Sequence, residues 1–287
     1  MILIDLNQAI IAGLMMQIKA DKKSTINEDL VRHMAINIIR THVKNFKKDY
    51  GNVVLCCDNR NYWRKQYFPY YKAGRKKTRE ASALDWRLIF EIMNKIKEEL
   101  KEYFPYKVLD VENAEADDII GTLAPLYVAS EDIMIVSSDG DFLQLQMYNG
   151  ISKYSIKQYS PLLKKNLKCD DPHRNLKEKI IGGDKGDGIP NILSPSDCFV
   201  LGKRQTSIYQ NKLDKMINED VSLWTDEHAK IGFSRNKTLI DLREIPSDIK
   251  KSIIEQYDNY VVAPRSKILN YFIEKRLKNL IESLGDF

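Results

Sequence analysis

The sequence predicts an α/β fold: a central, mostly parallel sheet flanked by helices, with a smaller helical region after it. Two observations carry the prediction. Apolar, β-prone runs recur at Ile2–Ile4, Val53–Cys57, Val108–Val111 and Ile133–Val136 with helical stretches between them, the alternation that builds βαβ units. Past about residue 176 the strand signal fades and helical patterns dominate. A chain of 287 residues, 43% hydrophobic and 30% charged, is long enough to bury a core of this kind.

The first strand lies within the apolar run MILIDLNQAIIAGLMM, which Asp5, Asn7 and Gln8 interrupt and no positive residue leads, so a secretory signal is not expected. No stretch of 18 apolar residues occurs, which excludes a transmembrane helix. Amphipathic patterns predict helices over 26–46, 84–104 and 114–127. Cys56, Cys57, Cys169 and Cys198 show no CxxC spacing, and a reduced, cytoplasmic chain is the simplest reading. The segment 73–82 and the polar run 157–175 are the softest stretches, the first a candidate mobile arch or loop. Beyond them, Leu176–Ile181, Pro195–Leu201 and Lys267–Leu284 carry helical patterns. The expected division is an α/β core over 1–175, with the arch at about 60–90, and a helical region over 176–287.

The net charge of +5 decides little, but its distribution is informative. Arg60, Arg64, Lys65, Lys72, Arg75, Lys76, Lys77 and Arg79 fall in a window without a single acid, interleaved with Tyr62, Trp63, Tyr67, Phe68, Tyr70 and Tyr71. Cations among aromatics suit a polyanion whose bases can stack, which points to nucleic acid. An ordinary solvated basic face over core aromatics is the competing reading, and the window alone does not exclude it.

The acids are placed as tellingly. Asp5 ends the first strand, Asp58 follows the second, and Asp139 and Asp141 follow the fourth. Glu115, Asp117 and Asp118 open a helix after the third. In parallel α/β sheets the carboxyl ends of strands border the ligand crevice, so acids distant in sequence would converge there. Gly183, Asp184, Lys185, Gly186, Asp187 and Gly188 form a glycine-rich turn between helical patterns, able to present backbone groups or paired carboxylates to an ion or phosphate. Singly, each acid is a turn, cap or helix-dipole residue as readily as a functional one. Together, nine carboxylates in one crevice would repel one another and take up protons unless cations balance them. Oxygen donors without His or Cys nearby favour Mg²⁺, with Mn²⁺ able to substitute. With these nine set apart, 45 basic residues face 31 acidic ones, an acidic pocket within a basic body. Asp139–Gln144 departs from an EF-hand loop at Leu143 and Gln144, and neither a P-loop nor a G-x-S-x-G elbow is present.

Asp5, Asp58, E-A-D-D at 115–118, S-D-G-D at 138–141 and G-D-K-G-D-G-I-P at 183–190 together resemble the 5′-nuclease (flap endonuclease) superfamily, its phage ribonuclease H branch in particular. The resemblance implies a PIN/5′-nuclease-like sheet, a helix–three-turn–helix element containing the Asp184–Pro190 loop, and a metal cluster of Asp5, Asp58, Glu115, Asp117, Asp118, Asp139, Asp141, Asp184 and Asp187. Tyr71-Lys72-Ala73-Gly74-Arg75 resembles the base of the family's helical arch, where the lysine faces the scissile phosphate; Gly74 stands where relatives often carry Asn. On this basis Lys72, Asp117 and Asp139 are expected to be catalytic, with two Mg²⁺ ions activating water and stabilising the leaving oxygen. Arg64, Tyr71, Lys72, Arg75, Lys76, Lys77, Arg79, Gly183, Lys185, Gly186 and Gly188 are expected to contact nucleic acid. The implied activity is 5′→3′ cleavage of RNA primers on DNA, of duplex 5′ ends and of flaps, by a monomer in the cytoplasm (of the host, for a phage enzyme), alongside a single-strand-binding protein and a sliding clamp. With the first strand at the very start of the sequence, a clamp contact through an N-terminal extension is not expected, and Leu280–Phe287 reads as the end of a helix, with a partner peptide as the rival reading. A small-molecule metal-dependent phosphatase and a non-catalytic nucleic-acid-binding scaffold remain open at this point, as does a PIN-type ribonuclease.

Overall fold

A computed structural model describes residues 1–20 and 26–287. Five of six strands are parallel: β1 (Ile2–Asp5), β2 (Val53–Cys56), β3 (Lys107–Leu109), β4 (Ile133–Val136) and β5 (Ile156–Ser160), with β6 (Lys165–Leu167) antiparallel at the edge. Their order is β3-β2-β1-β4-β5-β6. The chain therefore runs outward from β1 in one direction through β2 and β3, then returns to β1's other side as β4. That reversal opens a crevice at the carboxyl ends of β1 and β4, the place where such sheets take ligands.

The strands are short and apolar because both faces are covered. Ile2 and Ile4, Val53 and Leu55, and Met134 and Val136 point into one core, while Leu3, Val54, Cys56, Ile133 and Ile135 point into the other. The first core is closed by α1 (Leu6–Ala20), α2 (Glu28–Tyr50) and α5 (Trp86–Tyr103). Between β2 and α5 lie the short helices α3 (Trp63–Tyr67) and α4 (Ala73–Glu80). The second core is closed by α6 (Ala116–Tyr127) and by 3₁₀ turns at Gly140–Tyr148. Helix α2 starts where the Asn27 side chain accepts the Leu30 N–H and stops at Gly51, whose φ of 75° suits glycine.

After the sheet come α7 (Pro172–Gly182), α8 (Gln210–Asn218), α9 (Glu227–Ile240), α10 (Ser247–Asn259), α11 (Lys267–Glu274) and α12 (Lys278–Ile281). Residues from this region enter both cores: Ile249, Ile253 and Tyr257 join the second, and Ile268, Phe272, Leu280 and Phe287 the first. Leu280 and Phe287 are thus core residues, which removes the partner-peptide reading of 280–287.

Three expectations need correction. The run 157–175 holds most of β5 and all of β6 before the start of α7; Gln158 and Ser160 point inward and are fully buried, so polar side chains occupy positions where an apolar alternation would have revealed the strand. Pro195–Leu201 is a run of turns, closed by Gly202 at φ 66° with the Lys203 N–H on the Cys198 carbonyl, so the helical pattern there is not realised as a helix. The basic segment 73–82 is largely helix α4, which buries none of its own side chains.

Candidate active site

Each acid is set by the element it terminates. Asp5 is the last residue of β1, and its carboxylate accepts the Gln8 N–H, at the first turn of α1, and the Ser137 hydroxyl beyond β4. Asp58 follows β2 and accepts the N–H of Ala116, at the start of α6. Asp139 follows β4; it receives the Asp141 N–H and starts the 3₁₀ turns. Asp117 sits in the first turn of α6, where the helix dipole favours a negative charge. The peptide carrying Asp139 is clamped by β5, since the buried Gln158 amide donates to the carbonyls of Ser137 and Asp139 at 3.0 and 2.6 Å. Ser138 is held in addition by Gln8 and Ser160.

The nine acids separate by what neutralises them. Among the described residues, Asp5, Asp58, Asp117 and Asp139 form no ion pair, and Asp117 accepts no protein hydrogen bond. Desolvation raises all four carboxyls above the ordinary range, and neighbouring carboxylates add to it. Asp5 is pushed up to about 7, first by burial, then by Asp58 and Asp139. Asp117 is held well above its usual value by burial, with Asp139, Glu115 and Asp5 opposing the relief that Lys72 supplies. Asp58 and Asp139 are raised for the same first reason.

The rest are paired. Glu115 meets Lys72 and, at 3.1 Å each, Arg64 and the Tyr71 hydroxyl; burial works against its charge, but Lys72 and Arg64 outweigh it and hold the carboxyl low. Asp187 accepts from Tyr71 at 2.9 Å and from Arg75, with the Lys72 ammonium 3.7 Å away. Asp141 and Asp184 share Lys179, which sequence reasoning missed; its only signal was a lysine in the last turn before the glycine-rich loop.

Four site expectations are corrected here. Asp118 is fully buried, with one oxygen on Arg64 and the Trp63 indole N–H and the other on the Glu115 N–H, so it is a helix cap without a free edge for a metal. Arg64 is the counter-cation of Glu115 and Asp118 and donates its Nε–H to the Leu239 carbonyl; at 2% exposure it cannot reach nucleic acid. Tyr71 is equally buried and positions Glu115 and Asp187. Gly183 is a packing glycine at φ 72°: a Cβ there would lie 2.4 Å from the Ile189 carbonyl oxygen, and its N–H already caps Lys179.

The remaining basic candidates are available. Arg75, Lys76 and Lys77 are exposed along α4, and Lys185 and Gly186 are exposed at the tip of the glycine-rich loop. Arg79 is partly committed, its guanidinium 4.7 Å over the Phe90 ring and 5.7 Å from Trp86, which ties the end of α4 to α5. Gly188, at φ 73°, brings the loop against the arch base: a Cβ would meet the Tyr70 carbonyl oxygen at 2.9 Å. The Asp187 carbonyl accepts the Lys72 N–H, and Lys72 itself adopts φ 56°, a costly conformation away from glycine. Loop and arch base therefore lock each other, and the Lys72 ammonium is fixed beside Glu115.

An all-oxygen donor set with four uncompensated carboxylates fits a hard divalent cation. Among the described residues, no three acid, His or Cys side chains stand close enough to hold an ion as placed.

Comparison with known proteins agrees with this geometry. A family model described as "5'-3' exonuclease, N-terminal resolvase-like domain" matches residues 1–171, and one described as "T4 RNase H, C terminal" matches residues 171–287. The chain is 36% identical over 276 residues to the ribonuclease H of Enterobacteria phage T4, covering 92% of this chain and 89% of that protein. Its fold is similar to a bacteriophage T5 protein co-crystallised with metal ions, at TM-score 0.63 and 18% identity over 89% of this chain and 98% of the other. A T5 flap endonuclease in a pseudo-enzyme–product complex with DNA and metal ions is similar at TM-score 0.59 and 16% identity, covering 90% and 99%. Sheet and site thus define a resolvase-like nuclease class. Within it, the chain belongs to the 5′-3′ exonuclease family, in the branch of T4 ribonuclease H.

Proposed function

We propose that this chain is a divalent-metal-dependent nuclease that works from 5′ ends, removing RNA primers annealed to DNA and cleaving 5′ flaps, with Mg²⁺ as the natural ion and Mn²⁺ as a substitute. The carrying observation is the set of four unpaired carboxylates at the β1/β4 crevice, Asp5 buried and Asp117 and Asp139 half-buried, with Lys72 locked beside them. Family membership supports the reaction class, and the names of the T4 and T5 relatives support its substrates. Two divalent ions held there would supply an activated water and neutralise the leaving oxygen.

The chain's own residues do the rest. Asp5, Asp58, Asp117 and Asp139, with Glu115, form the inner donor set, and Asp141, Asp184 and Asp187 the outer one. Lys72, whose charge Glu115 and Asp187 sustain despite burial, offers a fixed positive charge to the scissile phosphate. Arg75, Lys76 and Lys77 line the path of the 5′ strand, and Lys185, Gly186 and Gly188 grip the downstream duplex without reading its bases. A helix–three-turn–helix built on α7 and the 183–190 loop, a sliding clamp and a single-strand-binding protein as partners, and a monomeric state in the cytoplasm belong to the same proposal; among the described residues no helix is long and apolar enough to cross a membrane.

The test is a labelled panel of flap, nicked and RNA-primed duplexes, with and without Mg²⁺. Cleavage that leaves 5′-phosphate products and stops on chelation is expected. Metal-independent cleavage, or hydrolysis of small phosphomonoesters alone, would overturn the reading.

A further inference from the structure

Lys179 stands in the last turn of α7, where the dipole favours a cation, but its ammonium leaves the helix axis to join carboxylates from two different motifs. It meets Asp141, from the turn after β4, and lies 3.1 Å from Asp184, from the glycine-rich loop. All three side chains are largely buried, at 26%, 17% and 25% exposure, so the contacts are not screened as surface pairs are. Helix α7 is also fixed: Leu176 and Ile180 are buried beneath it, and the Gly183 N–H caps the Lys179 carbonyl. The ammonium is therefore delivered to one place, between Asp141 and Asp184, two of the three acids proposed above as the outer donor set.

The geometry points to Lys179 as a built-in counter-cation that occupies the second-ion position and sets how weakly that ion binds. This inference rests on the two-ion reading. A divalent ion entering between Asp141 and Asp184 must first displace the ammonium from two ion pairs and then sit near a displaced positive charge. Lys72 and Lys179 act on Asp58, Asp117 and Asp139 only through space, and among the described residues no cation pairs with the inner four carboxylates. Their ion should bind tightly and first, and the second should bind only when something else, such as the substrate phosphate, draws the lysine away. Lys179 is then a positioning residue for the ion pair rather than a group that touches the reacting atoms.

The experiment is calorimetric titration of the full chain with Mn²⁺ alone, with bound ions counted by Mn²⁺ electron paramagnetic resonance and no nucleic acid present. The wild type should show one tighter and one weaker class. Lys179→Met should tighten the weaker class about tenfold or more, the scale of losing a charge-assisted competitor, and leave the tighter class within a few-fold. Lys179→Arg should restore weak binding, and Lys179→Gln serves where the methionine variant does not fold. Asp141→Asn should abolish the weaker class. Two classes with Asp141→Asn removing one, but no tightening in Lys179→Met or Lys179→Gln, would overturn the role of Lys179 while sparing the two-ion reading. A single class insensitive to Asp141→Asn would overturn both.

Discussion

Two groups of acids in this molecule meet opposite fates. In the helical layer of α2, α5 and α11, Glu99 is 7% exposed, yet Arg32 clasps it with two bonds of 2.8 and 2.9 Å, and the Tyr271 hydroxyl adds a third. Burial works against its charge, and these partners overcome it, so its carboxyl stays below the ordinary range. Glu28 is held low in the same way by Lys95 and Arg32. At the ends of β1, β2 and β4 and the start of α6, Asp5, Asp58, Asp117 and Asp139 form no ion pair among the described residues; Lys72 and Lys179 act on them only from a distance, and all four are raised. A fold that can neutralise buried acids in one place and leaves them bare in another reserves the second place for a cation from outside. The paired acids of the site itself sharpen the contrast, because Lys72, Arg64 and Lys179 stop short of the inner four.

The comparison can be broken by substitution. Asp139→Asn removes a donor from the bare group, and cleavage should fall by about a thousandfold or more, the scale of losing electrostatic preorganisation and an ion together. Duplex affinity should change only a few-fold; a large loss of binding would show that Asp139 serves the fold. Arg64→Met converts a neutralised pair into a bare one. Leaving Glu115 and Asp118 buried without their cation should cost about 3–5 kcal/mol in denaturant unfolding, and an unchanged midpoint would mean that the pair is not needed. Lys72→Ala should slow single-turnover cleavage about 10²–10³-fold while weakening binding less. Equal effects on both would make Lys72 a uniform phosphate contact. The smallest effect belongs to the exposed cations: Lys76→Ala should lower the slope of log affinity against log salt by about one, and a slope that stays put would remove α4 from the footprint.

Much of this arrangement was legible in the sequence, and the rest was not for definite reasons. Apolar triplets and quartets running into Asp5, Asp58 and Asp139 revealed three central strands and their carboxyl ends together. Strand β5 escaped because Gln158 and Ser160 face inward, where their amide and hydroxyl hold the Asp139 turn; the strand most useful to the site is the one whose pattern is least apolar. Arg64 and Asp118 were misassigned because a charge in a motif carries no mark of which side it faces. Only the fold shows that Arg64 lies over the Trp63 ring at 4.6 Å with its Nε–H on the Leu239 carbonyl, and that Asp118 closes a reciprocal cap with Glu115. Lys179 escaped for a related reason, since a cation ending a helix is commonplace until the turn beyond it folds back.

The central claim, that the inner carboxylates wait unpaired for a divalent ion, is tested most directly by thermal unfolding against pH without and with Mg²⁺. Asp5 titrates near 7 when folded and near 3.8 when unfolded, so the metal-free folded chain binds the extra proton between those values. Its stability should therefore fall as pH rises from about 5 to 7.5, by up to about 1.4 kcal/mol per pH unit for each such carboxyl. Saturating Mg²⁺ should reverse that slope, and Asp5→Asn should flatten it. A metal-free protein whose stability rises or stays level across that window, with no gain from Mg²⁺, would contradict the account.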